Sequence, residues 1–379
     1  MQLYLKKTLN YFFLIIFIFI IINLLISISW QIYSKLNKKS NAYNQKQLEL
    51  LNLSNLDSEK LFRETWIDRH YVYDQFTEYK EKEKSGREFV NISNKDGRKI
   101  INNKNCKTNF AFYGSSITFG YNVTDQKTFS QLFKNILDDN YKFGCVYNYG
   151  RAGYGSTQEN ILFIKHIIEN KFNEGDFIFF LDAAAERGIK KGVNTDYLSY
   201  AQNLSNVPYH LKFIDSFKLF WNTLPFNQLL LRIKQKLNQK NKDLFLSDKN
   251  KTSLSDIANV FEKNIKIRNN ICDAFNLKCY TFIHPQSGVN GIYFKKFTQS
   301  TYPQTGTYDL EDKGIKKLIN ERKAKINKLL EVNSTIDLGI AFDNSEQVTF
   351  IDRNHFSPYG HLLIAQFIFD MIKKDLLKY

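Results

Sequence analysis

Residues 176–181 read DFIFFL, an apolar run after a single aspartate, and that reading decides the fold. A strand facing solvent on one side alternates polar and apolar residues. Unbroken apolarity requires cover on both faces, as in a parallel sheet between helical layers. The rhythm repeats outward from this run. Residues 110–114 (FAFYG) and 145–150 (CVYNYG) precede it as short aromatic and β-branched runs, while residues 279–284 (CYTFIH) and 348–352 (VTFID) follow. Stretches with helical character lie between them at 127–137, at 157–170 (where Ile161, Ile164 and Ile168 recur), at 253–275 and at 310–330. Ser357 and Pro358 open a last helix as N-cap residue and first-turn proline. The expectation is an α/β fold, a parallel sheet flanked by helices, with its chemistry at the carboxyl ends of the strands.

Two blocks meet that positional rule. Directly after the first run comes Gly114-Ser115-Ser116-Ile117-Thr118-Phe119-Gly120, which presents a serine at a strand end. A serine hydroxyl is a weak nucleophile and needs an adjacent base, usually a histidine oriented by a carboxylate. Asp352 and His355, in FIDRNHFSPYGH, stand right after the last run and before the last helix.

Together GSSITFG, NYGRAGYGSTQ and DRNHFSPYGHLLIA resemble the GDSL/SGNH hydrolases over roughly residues 109–375, with 188–252 unmatched. The lead-in, YDQFTEY followed by FVNISNKDGRK, is similar to the segment before this domain in membrane-anchored bacterial members. The resemblance implies a flavodoxin-like sheet and a hydrolase that needs no metal or cofactor. It makes Ser116 the nucleophile, His355 its general base and Asp352 the residue that orients the imidazole. The backbone N–H groups of Ser116 and Gly150 would form the oxyanion hole. Two positions depart from the family pattern: Ser115 replaces the usual Asp, and Asp182-Ala183-Ala184-Ala185-Glu186-Arg187 lacks the third-block Asn that completes the hole. A two-donor hole, or a donor from elsewhere such as Arg187, are the alternatives.

The other candidate groups read as structural. His361 falls in the first turn of the last helix, His166 shares a helix with Ile161, Ile164 and Ile168, and His284 is a loop residue on the active edge, where substrate would approach. No His/Cys cluster has zinc spacing, and neither a phosphate-binding P-loop nor a strand-linked dinucleotide fingerprint is present. Cys272 and Cys279 are too far apart for a disulfide on one continuous helix, and approach only if that helix ends near Asn276. Asn-x-Ser/Thr triplets such as Asn122-Val123-Thr124 are expected by chance in so Asn-rich a chain.

With 379 residues, 43% hydrophobic, and only 5 Pro and 4 Cys, the chain has material for a large core and is no disulfide-stapled miniprotein. Its net charge of +15 raises nucleic acid as a partner, but the lysines are scattered among Glu and Asp without a basic stripe, which excludes that class. Residues 11–30, YFFLIIFIFIIINLLISISW, carry no charge and are long enough to span a bilayer as a helix. A cleaved signal peptide would have a shorter apolar core ending at a small-residue site, so the segment reads as an uncleaved anchor. Lys6 and Lys7 before it and Lys35, Lys38 and Lys39 after it leave the charge rule undecided. Analogy with signal anchors puts the body outside the cytoplasmic (inner) membrane, periplasmic or extracellular, in a single-pass arrangement.

The expected organisation is an anchor over residues 9–31, a stalk and extended lead-in over 32–105, and a hydrolase-like domain over 106–379 with an insertion or cap at about 188–252. The expected partners are the membrane, through that anchor, and an ester substrate such as an acylated glycan or a lipid. The expected activity is hydrolysis of an acyl ester, such as an O-acetyl ester, through a Ser-His-Asp triad and an acyl-enzyme. Alternatives are O-acyl transfer to a cell-envelope polysaccharide by the same triad, or a catalytically silent binding module.

Overall fold

The computed structural model describes residues 2–36, 43, 45–104, 106–141, 143–182, 186, 221, 224–230, 233, 253–290, 313–352 and 354–376. They belong to two units, Met1–Ser40 with Asn203–Lys251 and Asn41–Gln202 with Thr252–Tyr379. The first unit holds helix α1 (Gln2–Leu36), in which Asn10–Ile32, with mean hydropathy 3.0, is long and apolar enough to cross a membrane. Within this unit the Phe19 ring stacks on Trp221 at 5.5 Å, and the Asn23 side chain accepts the Phe226 N–H at 3.1 Å. Apart from residues 221, 224–230 and 233, the expected insertion lies outside the described residues.

In the second unit, helices α2 (Gln45–Leu51) and α3 (Asn55–Phe62) and a π-helical turn (Arg63–Ile67) precede a separate antiparallel hairpin of β1 (Tyr71–Asp74) and β2 (Glu78–Glu81). The main sheet comprises β3 (Ile92–Ser93), β4 (Gly97–Arg98), β5 (Thr108–Gly114), β6 (Gly144–Asn148), β7 (Phe177–Asp182), β8 (Lys278–Ile283) and β9 (Thr335–Asp337), in the order β3-β4-β6-β5-β7-β8-β9. Every pair from β4 to β9 is parallel. Ranked by chain position, the five strands β6-β5-β7-β8-β9 run 2-1-3-4-5, the flavodoxin-like order, and its switch point lies between β5 and β7.

Helices α5 (Phe129–Asn140) and α9 (Pro358–Leu376) cover one face of the sheet; α6 (Ser156–Ile168) and α7 (Leu254–Ala274) cover the other, with α8 (Lys313–Leu330) packed on α7. Strand alternation divides the apolar run between these layers. Phe177, Phe179 and Leu181 enter one core with Phe110 and Phe112, while Ile178 and Phe180 enter the other with Ala111 and Tyr113. Register pairs Phe112 with Phe179 and Tyr113 with Phe180, and both ring pairs stack, at 4.7 and 5.2 Å. Both faces of β7 are thus buried, as its composition demands.

Two expectations need correction. The fifth parallel strand is β9, not residues 348–352, which contribute only an isolated bridge between Phe350 and Phe356. Ile351 N–H bonds to His355 O and Ser357 N–H to Thr349 O, so this backbone closes its own loop instead of extending the sheet. Second, the segment read as a stalk packs into the body: Tyr43, Leu48, Leu51, Leu61 and Phe62 are buried with Phe119, Tyr121 and Ile351. Its recurring leucines need cover, and this cluster supplies it. Cys106 and Cys145, on which the sequence reading made no statement, also form a disulfide. The question left open for Cys272 and Cys279 is answered in favour of a bond, because α7 ends at Ala274 and the chain turns back into β8.

Candidate active site

β5 ends at Gly114, where φ is +156° and an added Cβ would stand 2.0 Å from Thr118 Oγ1 and 2.9 Å from Leu181 O. Only glycine allows this turn, which sends the chain directly into helix α4 (Ser116–Phe119). Ser116 therefore stands at the carboxyl edge of the sheet, at the switch point. The loop closed by Ile351 and His355 brings the C-terminal pair to the same place. Ser116 Oγ lies 3.0 Å from His355 Nε2, and His355 Nδ1 lies 2.8 Å from Asp352 Oδ2. Both distances are within the reach that proton transfer requires. Imidazole and carboxylate are buried, 4% and 2% exposed, so electrostatic interactions between them are poorly screened by water.

The pair is held on all sides. Asp352 Oδ1 accepts the backbone N–H groups of Asn354 and His355, each at 2.7 Å, and Oδ2 accepts Asn122 Nδ2 at 2.6 Å. Asn122 Oδ1 in turn accepts the Tyr43 hydroxyl at 2.9 Å and the Trp66 indole N–H at 2.5 Å. Trp66 and Tyr121 meet the His355 ring edge to face, with centroids 5.6 and 5.3 Å away. Sequence reasoning missed Asn122, Tyr43 and Trp66. The first was visible only as part of a sequon, and the others stand in the segment read as stalk and lead-in.

The expected oxyanion donors are less simply disposed. Gly150 packs against α4 so closely that a Cβ there would lie 2.3 Å from Phe119 N. Its N–H, however, donates to Asn148 Oδ1 at 3.0 Å. Asn148 also donates through Nδ2 to Thr118 O and Ser130 Oγ, both at 2.8 Å, and so ties the second block to the first. The Gly150 donor is therefore already engaged. In the third block, Asp182 pairs with the fully buried Arg268 at 2.5 Å, Arg268 also meets Glu159 at 3.2 Å, and Glu186 accepts both Ser156 N–H and Ser156 Oγ at 2.7 Å. Burial, then the nearby Asp182, pushes the Glu186 carboxyl up to about 7. The charged groups of this block are bound up in a structural network. Residues 183–185 and Arg187, the alternative donor, lie outside the described residues.

The three other histidines singled out in the sequence, His166, His284 and His361, are packed groups. Burial drives His284 down to about 4, and its Nδ1 faces Pro285 O and Gln286 Nε2, each at 3.0 Å. Burial likewise drives His361 down to about 3, and its Nδ1 accepts Phe129 N–H at 3.2 Å. His166 sits 2.6 Å from the Tyr113 hydroxyl and is held below its ordinary range by burial. Among the described residues no group of three or more His, Cys, Asp or Glu side chains is placed to hold a metal ion.

Fold and site together define a class: an α/β protein of flavodoxin-like strand order carrying a Ser-His-Asp array at its switch point. No family model and no curated protein matches the chain. Solved structures do. An acetyl xylan esterase from Geobacillus stearothermophilus is similar at 13% identity and a TM-score of 0.35, over 71% of this chain and 95% of that one. A member of the lipolytic protein G-D-S-L family from Veillonella parvula is similar at 13% identity and a TM-score of 0.36, over 70% and 98%. A lipase/acylhydrolase from Enterococcus faecalis is similar at 15% identity and a TM-score of 0.37, over 71% and 96%. Likeness at this level leaves the chemistry to be judged from the chain's own residues.

Proposed function

We propose that the chain is a membrane-anchored serine esterase of the SGNH type, which cleaves an acyl ester through an acyl-enzyme. The observation that carries this reading is the continuous relay from Ser116 Oγ through His355 to Asp352, at 3.0 and 2.8 Å. In the first half-reaction His355 Nε2 takes the Ser116 proton as Oγ attacks the ester carbonyl, and Asp352 stabilises the imidazolium. The tetrahedral intermediate collapses, the C–O bond breaks, and His355 returns the proton to the leaving alcohol. Water then attacks the acyl-serine with His355 as base, releasing the acid and restoring Ser116. The oxyanion falls to the Ser116 N–H and to a Gly150 N–H shared with Asn148 Oδ1.

Two disulfides in the body support an oxidising location, and with the apolar helix they favour a body held outside the cytoplasmic membrane. A cell-envelope glycan O-acetyl group or a lipid ester suits that place. The same relay serves O-acyl transfer if a sugar hydroxyl replaces water in the second step, and comparison of acetate release with transfer to added oligosaccharide separates the two. The engaged Gly150 donor favours a second reading, a binding module without turnover.

A fluorophosphonate probe decides between catalyst and module. Wild-type chain takes the label on Ser116, while Ser116→Ala and His355→Ala do not, and turnover of p-nitrophenyl acetate falls by about 10⁵- to 10⁶-fold in both variants. An unlabelled, folded wild type would establish the module instead.

A further inference from the structure

His355 depends on Asp352 for its orientation if Ser116 is the nucleophile, and the inference that follows rests on that reading. We infer that Asn122 is a positioning residue for the Asp352 carboxylate, and that Tyr43 and Trp66, from the chain that follows α1, set its orientation. Two backbone N–H groups hold Oδ1 of Asp352. Among the described residues, Asn122 is the group besides His355 that holds Oδ2. Without it, Oδ2 is held, among the described residues, only by the His355 ring, the group whose orientation the carboxylate has to set.

The orientation of the Asn122 amide follows from chemistry alone. An indole nitrogen only donates and an ionised carboxylate only accepts, so the amide oxygen faces Trp66 and the amide nitrogen faces Asp352. Reversal would set donor against donor and acceptor against acceptor. Burial, and then the Asp352 charge, raises the Tyr43 phenol well above its ordinary range, so its hydroxyl keeps the proton it donates to Asn122. The backbone adds a second, independent sign. Asn122 has φ of +65° and is fully buried, in a conformation where glycine is the default residue. A turn alone is served by glycine; the side chain present here makes three hydrogen bonds, one to Asp352 and two from the Tyr43 and Trp66 side chains.

Asn122→Gly tests this without straining the fold, because glycine suits the positive φ. With the donor gone, the Asp352 charge is less satisfied and holds the His355 proton more tightly. The His355 titration, read by NMR of chain carrying ¹⁵N-labelled histidine, should move to higher pH, and the acid limb of kcat should move with it. Turnover of p-nitrophenyl acetate should fall by about 10- to 100-fold at unchanged KM, by analogy with the loss when an outer partner that orients a metal-ligating side chain is removed. Tyr43→Phe and Trp66→Phe should shift the titration in the same sense by less. A His355 titration unmoved in Asn122→Gly overturns the proposal, whatever happens to thermal stability. The NMR readout needs no substrate. A shifted titration with no Ser116 labelling would sink the esterase reading and leave the positioning role standing, while labelling with an unmoved titration would do the reverse.

Discussion

Gly150 shows how tightly the two strand-end blocks are fitted. Its missing side chain leaves room for the backbone of α4, since a Cβ would fall 2.3 Å from Phe119 N and 2.7 Å from Thr118 C. Backbone cannot rotate away as a flexible side chain can, so Gly150→Ala has to displace the helix that carries Ser116. The expected result is a loss of about 1–3 kcal/mol in stability, the usual range for forcing atoms into a packed site. Slower fluorophosphonate labelling should accompany it. Chemical denaturation with a parallel labelling time course checks both, and a variant with full stability would show that the close approach is not needed.

At the scale of elements, β7 delivers Asp182 into a dry cluster built by three others: Glu159 from α6, Arg268 from α7, and Lys325 from α8, which donates to the Glu186 carbonyl at 2.6 Å. Arg268 and the partly exposed Lys325 face three carboxyls, which still outnumber them, so the cluster favours a proton on one carboxyl. Glu186 is pushed up to about 7 by burial and by Asp182, above its ordinary value of 4.5, so the folded state binds this proton more strongly than the unfolded chain. Its contribution to stability is complete below about pH 4.5 and is lost as pH rises towards about 7. Glu159, raised in the same direction by burial, adds to that slope. Urea titrations at pH 5 and pH 7 should show wild type less stable at the higher pH. In Glu186→Gln, which keeps an acceptor for the Ser156 N–H, the difference should shrink. An equal difference in both chains would place the pH dependence elsewhere.

At the scale of the whole molecule, the two disulfides bear on where the body resides. Cys106–Cys145 ties the segment before β5 to β6, and Cys272–Cys279 ties α7 to β8, so all 4 cysteines of the chain are paired. A cytoplasmic body would be held reduced. Chain recovered from membranes without reductant should therefore take up no maleimide, and four equivalents after reduction. Uptake of four equivalents before reduction would overturn an exported body.

Local pattern carries some of these features and misses others, for definable reasons. The unbroken run in β7, the glycine turn before Ser116, the Asp352 and His355 pair and the apolar helix near the N-terminus are each written in neighbouring residues, because burial on two faces, a sharp turn and bilayer thickness all constrain composition over short distances. Strand β9 was illegible: three half-buried residues, Thr335–Asp337, are too few to show a period, while the more strand-like VTFID satisfies its backbone within its own loop. The roles of Asn122, Tyr43, Trp66, Asn148 and Arg268 were decided only by tertiary structure. Their partners are remote in the chain, as with Asn122 and Asp352, 230 positions apart. A buried polar side chain is specified by the donor or acceptor it meets in space, and one sequence records the two ends of that bond without recording that they meet.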